Sequence, residues 1–174
     1  VPEISARKTT YEYDCGNGYS IRFELFVSHY DEDADGYCDT CTEQTSPVID
    51  ETTFPDAAFR QYVLDTIDTD KDGILEIEES SVVTDIFVPG KAITSLKGVE
   101  YFTFLRTLYC FENQLTSLDV SKNVVLTNLG CHWNQLTSLD VSKNERLRYL
   151  SCCGNQLTSL DVSKNEALTE LHCY

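Results

Sequence analysis

Residues 68–79 read DTDKDGILEIEE and concentrate hard oxygen ligands in one short stretch. Asp68, Asp70 and Asp72 stand at positions 1, 3 and 5, Glu76 at 9 and Glu79 at 12. Gly73 falls at the sharp turn of position 6, and Ile74 offers a backbone carbonyl at 7. Ca²⁺ takes about six to eight oxygens at ~2.3–2.6 Å, the last Glu supplying two of them. Without a cation, carboxylates this crowded repel one another. The bland alternative is an acidic, solvated turn, but every ligand position is met.

This is the EF-hand loop template, and its flanks agree. FPDAAFRQYVLDTI (54–67) predicts a helix with Pro55 near its first position and Phe59, Tyr62, Val63 and Ile67 on one face. Residues 48–82 are therefore expected to form a calcium-stiffened cap. A second candidate loop, DEDADGYCDTCT (31–42), has Asp31, Asp33, Asp35 and Gly36 at the right spacing. Thr42 stands at its position 12 and Glu43 comes one residue late, so its Ca²⁺ site would be weaker or of another type.

Residues 1–47 hold three further candidates for metal or disulfide chemistry. The stretch 9–28 alternates around Cys15-Gly-Asn-Gly and predicts a β-hairpin. Cys15, His29, Cys38 and Cys41 could hold Zn²⁺ as a Cys₃His set. A Cys15–Cys38 or Cys15–Cys41 disulfide fits an oxidising compartment equally well, and a loosely ordered region is the third reading.

The C-terminal half is repetitive. NQLTSLDVSKN occurs at 113–123, 134–144 and 155–165, and the repeats align as 105–125, 126–146, 147–167 and a stub, 168–174. The shared pattern L-x-x-L-x-C-x-x-N-x-L-x-x-L-x-V is the leucine-rich-repeat signature, with Cys where a third Leu is usual. One coil cannot bury its own apolar face, so stacked coils make a continuous core. A degenerate earlier coil, 83–96, supplies Val83, Ile86, Val88, Ile93 and Leu96. There Val88 takes the place of Cys110, Cys131, Cys152 and Cys173, which identifies these as small apolar residues. Stacked at ~4.8 Å with parallel Cβ vectors they are too far apart for a disulfide, so reduced thiols are expected. Asn113, Asn134 and Asn155 are expected to satisfy backbone groups of neighbouring coils.

On these repeats the chain resembles bacterial extracellular leucine-rich-repeat proteins, and is similar to the internalin variant with 21-residue repeats and a cysteine ladder. The resemblance covers about 83–174 and implies an α/β solenoid of parallel strands, an EF-hand-like helical cap on its first coil, and a surface adhesin or protein-binding module. The expected organisation is 1–47 hairpin region, 48–82 cap and 83–174 solenoid, incomplete at its C-terminus.

Between the invariant stretches the residues change on the strand face that the core does not use. Coil by coil it reads Phe87; Thr107, Tyr109, Phe111, Glu112; Asn128, Gly130, His132, Trp133; Tyr149, Ser151, Cys153, Gly154; and Glu170, His172, Tyr174. In leucine-rich repeats this face is concave. It carries the only Trp and several aromatics, the residues that dominate interface hot spots. The expected ligand-binding set is Phe87, Tyr109, Phe111, Glu112, His132, Trp133, Tyr149, Cys153, Glu170, His172 and Tyr174. A Cys153/His132 nucleophile or metal pair is the sharper reading of one column, but no oxyanion donor or orienting group accompanies it, and an enzyme is not expected.

Composition bounds the partners. Acidic residues outnumber basic ones 29 to 13, a formal charge of −16, which excludes nucleic acid as a partner. No stretch approaches the ~20 apolar residues of a membrane span. The chain opens on Val1 and contains no Met, so a removed leader and a secreted or cell-surface bacterial protein are expected. A host or neighbouring-cell protein or glycan is the expected ligand. A spacer within a longer surface solenoid is the alternative, with self-association through an uncapped C-terminal edge.

Overall fold

The computed structural model describes residues 5–14, 20–29 and 46–174. The chain divides into two compact units, Val1–Thr45 and Ser46–Tyr174. In the first, β1 (Ser5–Asp14) pairs antiparallel with β2 (Ser20–His29), Ser5 opposite His29 and Asp14 opposite Ser20. The hairpin predicted over 9–28 is thus present, with longer strands. The acidic loop 31–42 and Cys15, Cys38 and Cys41 lie outside the described residues.

The second unit opens with α1 (Ala57–Thr66), whose N-cap Asp56 accepts from the main chain of Ala58 and Phe59, both at 3.0 Å. Pro55 therefore stands before the cap and not at the first helical position, because Asp56 satisfies the orphan N–H groups that open a helix. Phe59, Val63 and Ile67, at i, i+4 and i+8, are buried, and Tyr62 packs half-buried beside them. The loop 68–79 then leads into a single turn, α2 (Ile77–Ser80).

The solenoid is a five-stranded parallel sheet in chain order: β3 (Asp85–Phe87), β4 (Thr107–Tyr109), β5 (Asn128–Gly130), β6 (Tyr149–Ser151) and β7 (Glu170–His172). The register sets Ile86, Leu108, Leu129, Leu150 and Leu171 in one column. The first four are buried, and Leu171 on the last coil is 40% exposed. Backbone pairing continues past each strand: Val88 N–H donates to Tyr109 O, Cys110 to Gly130 O, Cys131 to Ser151 O and Cys152 to His172 O, at 2.8–2.9 Å. Val88 thus shares a column with the cysteines, as the sequence predicts. Cys110, Cys131 and Cys152 are buried free thiols, and no disulfide joins the ladder.

Two asparagine ladders stitch the coils. Asn134 Nδ2 donates to Cys110 O and Cys131 O at 3.0 Å, and its Oδ1 accepts from Leu115 N–H at 3.0 Å. Asn113 and Asn155 repeat the pattern. The second ladder, Asn123, Asn144 and Asn165, was not predicted, although the invariant SKN of each repeat carried its signal. Asn144 Nδ2 donates to Val120 O and Asn123 O at 3.0 Å, and the other two bond likewise. The repeated Asp119, Asp140 and Asp161 each accept from the N–H two residues on, in Ser121, Ser142 and Ser163. They are turn formers, which accounts for their periodicity.

Candidate functional site

The acidic loop between α1 and α2 is shaped by its own hydrogen bonds. Asp68, nearly fully buried, accepts from Lys71 N–H at 2.7 Å and Gly73 N–H at 3.1 Å. Asp72 accepts from Ile74 N–H at 2.8 Å, and Asp70 from Asp72 N–H at 3.3 Å. Gly73 has φ 82°, the left-handed conformation that glycine adopts without cost. Glu79 Oε1 accepts from Thr69 Oγ1 at 2.8 Å, which draws the twelfth position back over the first turn. Asp68, Asp70 and Glu79 then bring one carboxylate oxygen each within 4.8 Å of one another, as do Asp70, Asp72 and Glu76.

Ile74 pairs antiparallel with Val48. The bonds run through its neighbours, Leu75 N–H to Pro47 O at 2.9 Å and Ile49 N–H to Gly73 O at 2.8 Å. The Ile74 carbonyl takes no part in this pairing and is left for the seventh ligand position. Glu76 Oε2 is buried without a partner. Desolvation, with the nearby charges of Asp72 and Glu79, pushes the Glu76 carboxyl above its ordinary pKa. Glu79 goes the other way: burial alone would raise it, but the hydrogen bonds from Thr69 and Glu76 together outweigh burial and lower it. A hard divalent cation would satisfy the orphan oxygen and relieve the crowding, so the donor set fits Ca²⁺.

A second arrangement lies on the outer face of the sheet. Phe87, Tyr109, Phe111, His132, Trp133, Tyr149 and His172 form one connected set of rings, with neighbouring centroids 4.5–6.4 Å apart. Most contacts are edge-to-face or tilted, the geometry that ring quadrupoles prefer. His132 and Phe111 instead stack, 4.5 Å apart and 9° from parallel. Phe87 and Trp133 are more than half exposed.

Two glycines make this surface. A Cβ on Gly130 would stand 2.6 Å from Tyr109 Cδ1, so the missing side chain lets Tyr109 lie across the sheet and reach Tyr149. A Cβ on Gly154 would stand 2.1 Å from Trp133 Cδ1. Both glycines belong to the variable face, but their role as beds for the rings of the preceding coil was not read from the sequence.

Of the remaining predicted residues, Glu112, Glu170 and Tyr174 are exposed and Cys153 is half-buried. Cys153 and His132 share a column, and a hydroxyl stands near both. Ser151 Oγ, buried, lies 3.1 Å from His132 Nδ1 and 4.0 Å from Cys153 Sγ. Ser151 is a group to which the sequence assigned no role. Burial pushes His132 below its ordinary pKa against the raising influence of Glu112. Burial holds the ladder thiols in their protonated form, lifting Cys110 to about 12 and Cys152 to about 11.

No family model and no curated protein matches the chain. Solved structures do. The functional domain of InlJ from Listeria monocytogenes, described as including a cysteine ladder, superposes with a TM-score of 0.69 and 35% identity over 75% of this chain and 29% of that one. The internalin InlF from Listeria monocytogenes str. 4b F2365 superposes with a TM-score of 0.66 and 27% identity over 76% of this chain and 40% of that one. The chain thus spans less than half the length of either.

Proposed function

We propose, from the premise that this chain is an internalin-like bacterial leucine-rich-repeat solenoid, that it is an extracellular binding module whose ligand is captured on the outer sheet face. The observation that carries this reading is the continuous aromatic strip on an otherwise charged chain. Exposed apolar surface at one place on a soluble protein marks a contact site, and Trp and Tyr dominate such contacts. The invariant segments build the scaffold while the strip varies from coil to coil. A protein or glycan of a host or neighbouring cell is the ligand class, and binding rather than catalysis is the activity.

In the same reading the loop 68–79 holds Ca²⁺ through Asp68, Asp70, Asp72, Glu76, Glu79 and the Ile74 carbonyl. The ion would contribute charge neutralisation within the cap. Its protein partners do the positioning: Thr69 fixes Glu79, and the Val48 bridge fixes Ile74. Extracellular calcium concentrations suit such a site. Among the described residues no helix is long and apolar enough to cross a membrane.

The test compares Phe111→Ala/Trp133→Ala with Lys143→Ala, a substitution on the invariant stretch, in capture of host-cell surface proteins and of arrayed glycans. Loss of capture confined to the aromatic variant supports the outer face. Equal capture by the wild type and both variants would assign the chain to the spacer role instead.

A further inference from the structure

The scaffold does not account for all of the invariant stretch NQLTSLDVSKN. Asn113, Leu115, Val120 and Asn123 are buried, and Asp119 forms a turn, which explains why these residues recur at 134–144 and 155–165. Gln114, Thr116, Ser117 and Lys122 are exposed, and so are their counterparts in the next two coils. Neither the core nor the asparagine ladders use these side chains. The strand face shows that exposed positions change freely from coil to coil, yet these stay identical.

They border a row of cavities. One, of about 340 Å³, lies between Ser95 and Glu100 on one coil and Ser117 and Asp119 on the next. The second, about 430 Å³, lies between Ser117 and Asp119 and Ser138, Asp140 and Lys143. The third, about 360 Å³, lies between Ser138 and Asp140 and Ser159 and Asp161. Adjacent cavities share a wall, so they adjoin in one groove along the coils. Beside it the coils stay hydrogen-bonded, Gln135 N–H to Leu115 O at 2.9 Å and Gln156 N–H to Leu136 O at 2.8 Å. The step from rung to rung is therefore near the strand spacing, ~4.8 Å. Each invariant rung offers serine, aspartate and lysine, neutral in sum although the chain carries −16.

A surface that repeats by translation matches a ligand that does the same. A folded protein presents no such repeat and would select different side chains in each coil. An extended peptide presents same-side groups every ~6.6 Å, out of step with the rungs. Nucleic acid is repelled by the charge of the chain. A linear 1,4-linked glycan advances by about one pyranose ring per rung, and its hydroxyls meet the serine hydroxyls and aspartate oxygens as donors and acceptors. We propose that this groove binds a linear, uncharged 1,4-linked glycan, sugar by sugar along the rungs, at a site separate from the outer sheet face.

Calorimetric titration with cellobiose, cellotetraose and cellohexaose, and with the matching chitin oligomers, tests this. Affinity should rise with length up to four sugars, one for each of the rungs at Ser95, Ser117, Ser138 and Ser159, and level off beyond. Trp133 is the only tryptophan and belongs to the outer face, so its emission should not move. Ser138 is exposed and borders two of the cavities. Ser138→Arg obstructs the middle of the groove without touching the core and should abolish hexaose binding. Glu145→Arg, at an exposed acid outside the groove, should leave it unchanged, and equal urea midpoints show that both variants fold. No heat from either series, affinity independent of length, or binding that survives Ser138→Arg overturns the proposal. Binding that shifts Trp133 emission and disappears in Phe111→Ala/Trp133→Ala also overturns it, and moves the glycan to the outer face.

Discussion

The carboxylate of Asp56 holds Thr94, taking its main-chain N–H at 2.8 Å and its hydroxyl at 2.9 Å. The same side chain caps α1 through its other oxygen. One residue therefore closes the helix and ties it to the first coil. Burial alone would raise its pKa, but the hydrogen bonds from Thr94, Phe59 and Ala58 outweigh burial and lower it. Asp56→Ala should cost about 1–2 kcal/mol, the range for a lost cap. A depressed carboxyl contributes stability that is full above its unfolded pKa and disappears as pH falls through the folded value. In urea unfolding the gap between wild type and variant should be widest near neutrality and narrow as pH falls below the ordinary carboxylate range.

Asn134 offers a second test on the scaffold. Its truncation to Ala would leave Leu115 N–H without its acceptor in a buried site, while the Cys110 and Cys131 carbonyls keep the bonds from Asn113 and Asn155. A buried unsatisfied group costs about 1–3 kcal/mol, so Asn134→Ala should lose ~1–3 kcal/mol in urea unfolding. Asn155→Ala, in a less buried coil, should lose less. Equal losses at both positions would mean that burial does not set the energy of the ladder.

The ladder and the rings differ in how legible they were. Periodic Leu, Cys and Asn each repeat every 21 residues and have one structural solution, so strands, register and the Val88 rung follow from spacing alone. The second asparagine ladder, at 123, 144 and 165, is just as periodic, but the repeat signature fixes an Asn only after the strand. The beds at Gly130 and Gly154 are different. A single glycine in one coil carries no periodic signal, and its effect appears only when the ring from the preceding coil falls across it. Ser151 is likewise an ordinary variable residue until register sets its hydroxyl beside His132.

Thiol chemistry should separate the cysteines by burial. Burial raises the pKa of Cys110 and Cys152, and of Cys131 most plainly, where the neighbouring thiols add to the effect. The thiolate is the reactive form, so these three should resist iodoacetamide in the native protein at pH 8. Cys173, exposed, should label, and all should label in urea. Peptide mass spectrometry reads each site. Native labelling of Cys131 on the timescale of Cys173 would contradict a close-packed ladder.

Relieving the left-handed backbone at Glu112, φ 56°, where Gly90 and Gly154 stand in the flanking coils, should not cost stability. A non-glycine residue there costs on the order of 1–2 kcal/mol, partly offset by the greater freedom of glycine in the unfolded chain. Glu112→Gly should therefore leave stability unchanged or raise it by up to about 1 kcal/mol, while Glu112→Ala should give no gain. A fall of more than ~1 kcal/mol on Glu112→Gly would mean that Glu112 contributes to the scaffold.

Calcium should act on the cap and stop there. The orphan Glu76 oxygen and the two clusters of carboxylate oxygens are what a cation would relieve. An ion bound only to the folded state at 100 times its Kd adds about 2.7 kcal/mol, which for a domain of this size is roughly 5–15 °C in Tm. Thermal unfolding in EDTA and then in Ca²⁺ should show that rise. Glu79→Gln keeps an acceptor for Thr69 but removes one charge and bidentate coordination, so it should abolish most of the rise while leaving the EDTA midpoint close to wild type. Equal midpoints in EDTA and Ca²⁺ would mean that the hydrogen bonds of Asp68, Asp72 and Glu79 hold the loop by themselves. The calcium part of the reading would then fall. The outer face is built by Gly130, Gly154 and the ladder register, none of which belongs to the loop, and its binding would be unaffected.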